Sequence, residues 1–316
     1  MEDNPLISII VPCKEFNNYV EECIQHCENQ NYRNYEIILL PDNPMDKIEG
    51  IEIIPTGPVS PGKKRNIGMR YANGELCAFI DSDAYPRRDW LENAVKYFPE
   101  HQIAAIGGPG VTPAIDSFMQ RASGYILSSF MVGGLSSRYK RKKAKESADI
   151  HSCNFIARKS MVEKVTWNET YWPGEDTLMC LGIKQLGGKM LEAPDVVIYH
   201  HRRPLFLPHL KQVSRFGLHR GFFAKRFPEN SFKLTYFFPS FLVLFLIFGS
   251  MSYYFIPSFR TIFVSLLSIY LILTLIAALL SKNVKLIFPV WAGIILTHLT
   301  YGTYFLTGLL KRELKR

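Results

Sequence analysis

The sequence predicts an α/β domain with a mostly parallel sheet, followed by apolar helices toward its C-terminal end. Three observations predict it. Short apolar runs alternate with helical patterns through the first hundred residues. Acidic and proline-rich turns stand directly after those runs. Three long stretches free of Asp, Glu, Lys and Arg lie near the C-terminal end: Leu234–Phe259, Thr261–Ser281 and Leu286–Leu310.

Leu6–Val11 (LISIIV) reads as a buried strand, ended by Pro12. Tyr19–Asn29 reads as a helix with Val20, Cys23, Ile24 and Cys27 on one face. Tyr35–Leu40 is a second buried strand, closed by Pro41-Asp42-Asn43-Pro44, and Ile51–Pro55 a third. Gly62–Asn73 reads as a helix stopped by Asn73-Gly74. Leu76–Ile80 is a strand that runs into Asp81-Ser82-Asp83. Trp90–Phe98 is a helix, Ile103–Gly107 a strand, Thr177–Leu186 a helix and Val196–His200 a late strand. In parallel α/β sheets ligands bind beyond the carboxyl ends of the strands. Pro12–Glu15, Asp42 and Asp81–Asp83 are therefore expected around one crevice.

Each uncharged run reaches the ~20 residues that a helix needs to cross a ~30 Å hydrocarbon layer. The start of the chain shows no basic-plus-apolar leader and leads directly into the first strand, so the α/β domain is expected on the cytoplasmic side of a cell membrane. With three spans the tail Lys311–Arg316, which has four basic residues, would fall outside, against the positive-inside tendency. One run is then expected to re-enter or to lie in the interface. The first, with Pro239, and the last, with Pro289 and His298, are the candidates.

The six cysteines form no CxxC pair and read as reduced thiols. The net charge of +9 is uneven. Arg138–Lys145 holds six basic residues in eight, and His200–Arg226 holds seven Lys/Arg and four His with no acid. Beside membrane segments such stripes suit anionic lipid headgroups or phosphate-bearing substrates rather than nucleic acid. Arg138–Lys145 reads either as a solvated charge run or as a loop that meets a lipid-linked phosphate.

Two carboxylates separated by one residue after a buried strand, Asp81 and Asp83, can face one hard cation shared with substrate phosphates. Around them stands an ordered set. It comprises Ile9-Ile10-Val11-Pro12, the acidic turn at Asp42, the stretch Arg65-Asn66-x-Gly68…Ala72-x-Gly74-Glu75, and Pro173-Gly174-Glu175-Asp176. In this order the motifs resemble the family 2 glycosyltransferases of the GT-A fold, over about residues 6–228. The resemblance implies a Rossmann-like, mostly parallel catalytic domain that transfers sugar from a UDP- or GDP-linked donor with Mg²⁺ or Mn²⁺.

It also implies roles. Asp81 and Asp83 hold the metal, with His200 or His201 as a further ligand. Pro12, Glu15, Asp42, Arg65 and Asp81 meet the donor nucleotide, and Arg202 or Arg203 its diphosphate. Asp176 is the base that deprotonates the acceptor hydroxyl, with Glu175 beside it. Gln212-Val-Ser-Arg215-Phe216 is similar to the QxxRW segment of membrane-bound members, with Phe in the place of Trp. Gln212 and Arg215 would then lie against the donor, and the segment reads equally as a plain interfacial amphipathic helix. Pro41 stands where many relatives have a second acid.

The expected organisation is a GT-A domain over 1–205, an amphipathic interface segment over 206–232 and a multi-pass membrane region over 233–316. The expected activity is inverting transfer to a hydroxyl of a lipid-linked saccharide in surface polysaccharide or glycan assembly. A synthase that loads sugar onto polyprenyl phosphate, where the acceptor is already ionised, and an inactive membrane scaffold are the competing readings.

Overall fold

The computed structural model describes residues 4–132 and 143–314. They form two compact units. One comprises the chain up to Val111 and, after the gap, the residues through His201; the other comprises 112–132 and the chain from Arg202 onward.

In the first unit, β1 (Ile7–Pro12) pairs in parallel with β2 (Tyr35–Leu40) on one side and β4 (Leu76–Ile80) on the other, and β3 (Ile51–Ile53) adds in parallel to β2. β1, β2 and β4 are mostly apolar because both faces are covered. Ile7, Ile9 and Val11 enter one core with Cys23 and Cys27 of α1 (Asn18–Glu28) and Trp90 of α3 (Trp90–Val95). Ile10, one pleat over, enters the opposite core with Met69 of α2 (Pro61–Tyr71) and Trp167. α2 starts where its sequence dictates: the Ser60 hydroxyl accepts from the Lys63 N–H, and Pro61 stands at the first helical position.

The full sheet order among the described residues is β3-β2-β1-β4-β9-β6-β10-β8. Here β6 is Ile103–Gly107, β8 Lys145–Glu146, β9 Asn154–Arg158 and β10 Lys189–Glu192. β9 is antiparallel to both β4 and β6, and β8 is antiparallel to β10; the other ladders are parallel, so the sheet is mostly parallel as expected. A second sheet joins β5 (Ala84–Pro86), β11 (Ile198–His200) and β7 (Gly110–Val111), with β11 central. Two helices complete the unit, α5 (Lys159–Val165) and α6 (Glu175–Gln185).

β9 is one of the elements that the sequence reading did not anticipate. NFIAR carries one Asn and one Arg among three apolar residues. Asn154 is nevertheless 1% exposed, because its amide accepts from Trp90 Nε1 at 2.8 Å and donates to the Val196 carbonyl at 2.8 Å. β3 also ends two residues earlier than expected, since Pro55 has no N–H to continue a ladder.

The second unit is helical. It contains α4 (Phe118–Ser128), opened by a capping box between Ser117 and Gln120, then α7 (Leu207–Arg226) and the short α8 (Pro228–Ser231). α9 (Leu234–Phe255), α10 (Arg260–Leu279) and α11 (Val284–Leu310) follow. These last three, α10 taken with the 3-10 turn Pro257–Phe259 before it, are long and apolar enough to cross a membrane. Ala122 and Ile126 of α4 share a core with Ala277 and Ala278 of α10 and with Leu286, Val290 and Ile294 of α11. Of the basic run Arg138–Lys145, Arg138–Lys142 lie outside the described residues.

Candidate active site

The carboxyl ends of β1, β2 and β4 carry Pro12, Asp42 and Asp81. The first two ends are tied together: the Cys13 N–H donates to the Leu40 carbonyl at 3.1 Å and the Asp42 N–H to the Lys14 carbonyl at 3.0 Å. Glu15 stands exposed in the same loop. The Asp42 carboxylate is nearly enclosed and meets the Lys64 ammonium at 2.7 Å. Lys64, 4% exposed, also donates to the Leu40 carbonyl at 3.1 Å and to the Thr56 hydroxyl at 2.5 Å. A buried ammonium needs this shell of acceptors to remain charged. The adjacent Cys13 thiol is pushed up to about 11, mainly by burial, and is inert at neutral pH.

Arg65 follows Lys64 on α2 and points to different partners. Its Nη2 donates to Asp81 Oδ1 at 2.7 Å and its Nη1 to Glu175 Oε1 at 3.0 Å, while the guanidinium lies 4.9 Å from the Trp167 ring centroid. At 2% exposure it is a bridge inside the protein. Burial opposes its charge, but Asp81 and Glu175 together hold it more firmly protonated than a free arginine. The same burial pushes the Glu175 carboxyl up, and Arg65 opposes that rise.

Asp81, Asp83 and His200 each offer one ligand atom, and these atoms all lie within 4.8 Å of one another. β4 delivers Asp81, the turn after it delivers Asp83, and the antiparallel register of β11 on β5 sets His200 opposite Ala84. His200 Nε2 is 3.3 Å from Asp83 Oδ1. Two carboxylate oxygens and one imidazole suit a divalent cation such as Mn²⁺ or Mg²⁺ that keeps further positions for phosphate or water.

The second candidate histidine goes elsewhere. His201 Nε2 lies 2.8 Å from Glu22 Oε2 on α1, and its ring packs on Tyr19 with centroids 4.6 Å apart.

Glu175 and Asp176 open α6. Gly174 before them has φ +119°, which only glycine adopts without strain, and so the chain turns sharply into the helix. Asp176 Oδ1 accepts from the Thr177 N–H at 2.8 Å, and Oδ2 lies 3.4 Å from His151 Nδ1. Arg65 thus links Asp81, and through it the Asp83–His200 cluster, to the residue preceding Asp176.

Arg202, Arg203, Gln212 and Arg215 belong to the helical unit. The Arg202 N–H donates to Asp116 Oδ2 at 3.4 Å and its Nε to the Thr112 hydroxyl at 3.2 Å. Arg203 is exposed, as is Arg215 on α7, where Gln212 is half-buried.

Residues 8–166 match the sequence profile described as Glycosyl transferase family 2. The chain belongs to that family. A relative from Methanococcus voltae is 22% identical over 253 residues, covering 74% of this chain and 77% of that protein. Its name is dolichyl N-acetyl-alpha-D-glucosaminyl phosphate 3-beta-D-2,3-diacetamido-2,3-dideoxy-beta-D-glucuronosyltransferase. An uncharacterized glycosyltransferase of Haemophilus influenzae is 34% identical over 119 residues, 33% of this chain and 46% of that one. Against this second relative the chain spans about half the length. Among solved structures, the mannosyltransferase PcManGT from Pyrobaculum calidifontis, determined with GDP-Man and Mn²⁺, superposes with a TM-score of 0.58. That match covers 98% of this chain and 88% of that one at 17% identity, a likeness of fold. The protein is therefore a family 2 glycosyltransferase with a Rossmann-like GT-A sheet, and its nucleotide-sugar chemistry follows from the family.

The sequence did not single out Lys64, His151, Glu22 or Trp167. Lys64 directly precedes the recognised stretch that begins at Arg65, where neighbouring Lys63 and Arg65 carry the same charge and only the helix phase tells the three apart. His151 had a weak signal, as a histidine at the edge of a polar loop.

Proposed function

We propose that this chain is an inverting glycosyltransferase that moves one sugar from a nucleotide-sugar donor to a hydroxyl of a lipid-linked saccharide. The observation that carries the reading is the connected set Asp83–His200, Asp81, Arg65 and Glu175, which ends one residue before Asp176. Asp81, Asp83 and His200 would hold a divalent ion, which when bound neutralises charge on the departing diphosphate. Asp42 accepts an N–H of the nucleotide base, and Lys64 fixes the carboxylate in place. Arg65 acts as a positioning group that sets Asp81 and Glu175 at a fixed separation. Asp176 takes the proton of the attacking hydroxyl, oriented by the Thr177 N–H and by His151. Pro12 and Glu15 border the donor loop.

The lipid-linked acceptor is supported by the three apolar helices and by the dolichyl phosphate in the name of the Methanococcus voltae relative. The catalytic unit works at the cytoplasmic face of the membrane, in surface polysaccharide or glycan assembly.

The test is sugar transfer by purified membranes offered radiolabelled UDP- and GDP-sugars with a native lipid extract. Wild type and Asp176→Asn are compared with Mn²⁺ or EDTA. Label entering the lipid fraction only with metal, and lost in the variant, supports the reading and names the donor. Metal-dependent transfer that survives Asp176→Asn would instead indicate a polyprenyl-phosphate acceptor that needs no base.

A further inference from the structure

α7 and α11 run side by side in the same direction. His209 Nε2 meets the Thr297 hydroxyl at 2.9 Å; Gly217 lies against Tyr301 and Phe305; Gly221 lies against Phe305; Leu218 and Phe222 lie against Gly308; and Lys225 Nζ donates to the Leu309 carbonyl at 2.9 Å and to that of Lys311. The order rises together along both helices. The approach is close enough to require glycine, since a Cβ at Gly221 would fall 2.0 Å from the Phe305 carbonyl oxygen. The partnership lasts from Thr297 to Lys311, a length of about 20 Å.

α7 carries Lys211, Arg215, Arg220, Lys225 and Arg226 and no acid. Lys211, Arg215, Lys225 and Arg226 are exposed. If the second half of α11 crossed the hydrocarbon layer upright, these cations would have to cross it too, at a cost that membrane proteins avoid. The composition of α11 agrees. Thr297–Leu310 contains Thr, His or Tyr at seven of fourteen positions, and an 18-residue stretch of the helix has a mean hydropathy of 1.4, against 1.9 for the corresponding stretch of α9 and 2.7 for that of α10.

α11 also meets the other two helices at one end of their hairpin. At the start of α9, the Ser240 hydroxyl donates to the Gly302 carbonyl at 3.1 Å and Phe237 packs on Phe305 with centroids 4.8 Å apart. In the second half of α10, Tyr270 hydrogen-bonds His298 at 2.9 Å and Trp291 Nε1 donates to the Thr274 hydroxyl at 3.0 Å. Toward the turn Pro257–Phe259, Phe245 and Gly249 of α9 pack on Phe263 of α10, while Ile247, Phe248, Met251, Phe255, Ile262 and Val264 are exposed.

We infer that α9 and α10 form a two-helix hairpin across the bilayer, and that α7 and the second half of α11 lie together in the headgroup layer at its base. The basic row of α7 then faces lipid phosphates, and Lys311 and Arg312 stay on the side from which α9 enters. That placement removes the charge conflict of a three-span topology, because Lys282, Lys285, Lys311 and Arg312 join the cations of α7 on one side.

Full-length protein in sealed membrane vesicles tests this with a membrane-impermeant polyethylene-glycol maleimide, five of the six native cysteines being buried. Single variants Glu229→Cys, Ser258→Cys and Arg312→Cys are compared with the parent chain. The expected result is that Glu229→Cys and Arg312→Cys react from one side and Ser258→Cys from the other. Arg312→Cys reacting from the side of Ser258→Cys would establish three spans and overturn the inference. Ser258→Cys reacting with Glu229→Cys would show a hairpin that does not cross, and would equally overturn it. Spin labels at Thr303→Cys and Leu266→Cys give an independent depth readout, headgroup level for the first and hydrocarbon level for the second. Hydrocarbon depth at Thr303 would contradict the proposal whatever the labelling shows.

Discussion

The Arg65 guanidinium donates to Glu175 at 3.0 Å across 110 residues of chain, and both side chains are almost wholly enclosed. One residue from the second strand–helix unit thereby anchors the acid that opens α6. Arg65→Met leaves Glu175 buried without its cation, a change that costs about 3–5 kcal/mol. The expected outcome is a large fall in the unfolding temperature of the detergent-solubilised full chain. Glu175→Gln, which keeps a hydrogen-bond acceptor, lowers it less. Arg65→Lys is expected to lose activity as well, because one ammonium cannot donate to Asp81 and Glu175 along two fixed directions.

Lys64 and Asp42 form the other enclosed pair, 2.7 Å apart. Lys64→Met frees the carboxylate to turn. Donor KM is expected to rise roughly tenfold, equivalent to about 1.4 kcal/mol of donor binding, with a smaller change in kcat. Initial-rate kinetics over donor concentration check this. A variant that lost kcat at unchanged KM would remove Lys64 from the donor side.

Asp176 and His151 are expected to separate by magnitude. Asp176→Asn removes the proton acceptor and should lower kcat by about 10²–10⁴-fold with donor KM little changed. His151→Gln keeps the acceptor and removes only a neighbour that orients it, so a loss of about tenfold is expected. Single-turnover rates at saturating donor measure both.

His209 supplies a pH prediction. Its ring is fully buried on α7 between the Ser123 hydroxyl at 2.7 Å and the Thr297 hydroxyl at 2.9 Å, and burial depresses it from 6.5 to about 4. A histidine held neutral in the folded state contributes stability that is present above its unfolded value of 6.5. That stability is lost as pH falls toward 4, by up to ~3 kcal/mol. The unfolding temperature of wild type should therefore drop between these values more steeply than that of His209→Gln, measured over the same buffers.

Much of this architecture was legible in the sequence because the signals were local. Short apolar runs announced β1, β2, β4 and β6, and acids at their ends announced Asp42, Asp81 and Asp83. β9 was not legible, since its place between β4 and β6 depends on a buried Asn154 whose partners, Trp90 and Val196, lie 64 and 42 residues away. The family resemblance implied Arg65 as a nucleotide contact. Its two partners come from β4 and α6, and only the folded chain brings them to it. The membrane segment shows the same limit. Length and hydropathy alone mark three helices as able to cross, and the pairing of α11 with a basic helix is a tertiary fact.

The tandem histidines at the end of β11 look interchangeable on paper. The pleat makes them addresses rather than spares: His200 turns to Asp83, and His201 turns to Glu22 on α1. Neither can substitute for the other, so a surviving neighbour offers no backup when one is lost. A one-residue slip of this short strand would bring Tyr199 to Asp83 in place of His200 in one direction, and Arg202 to Glu22 in place of His201 in the other. For anyone recombining or grafting this segment between related enzymes, the crossover point must keep the register of β11 against β5 intact.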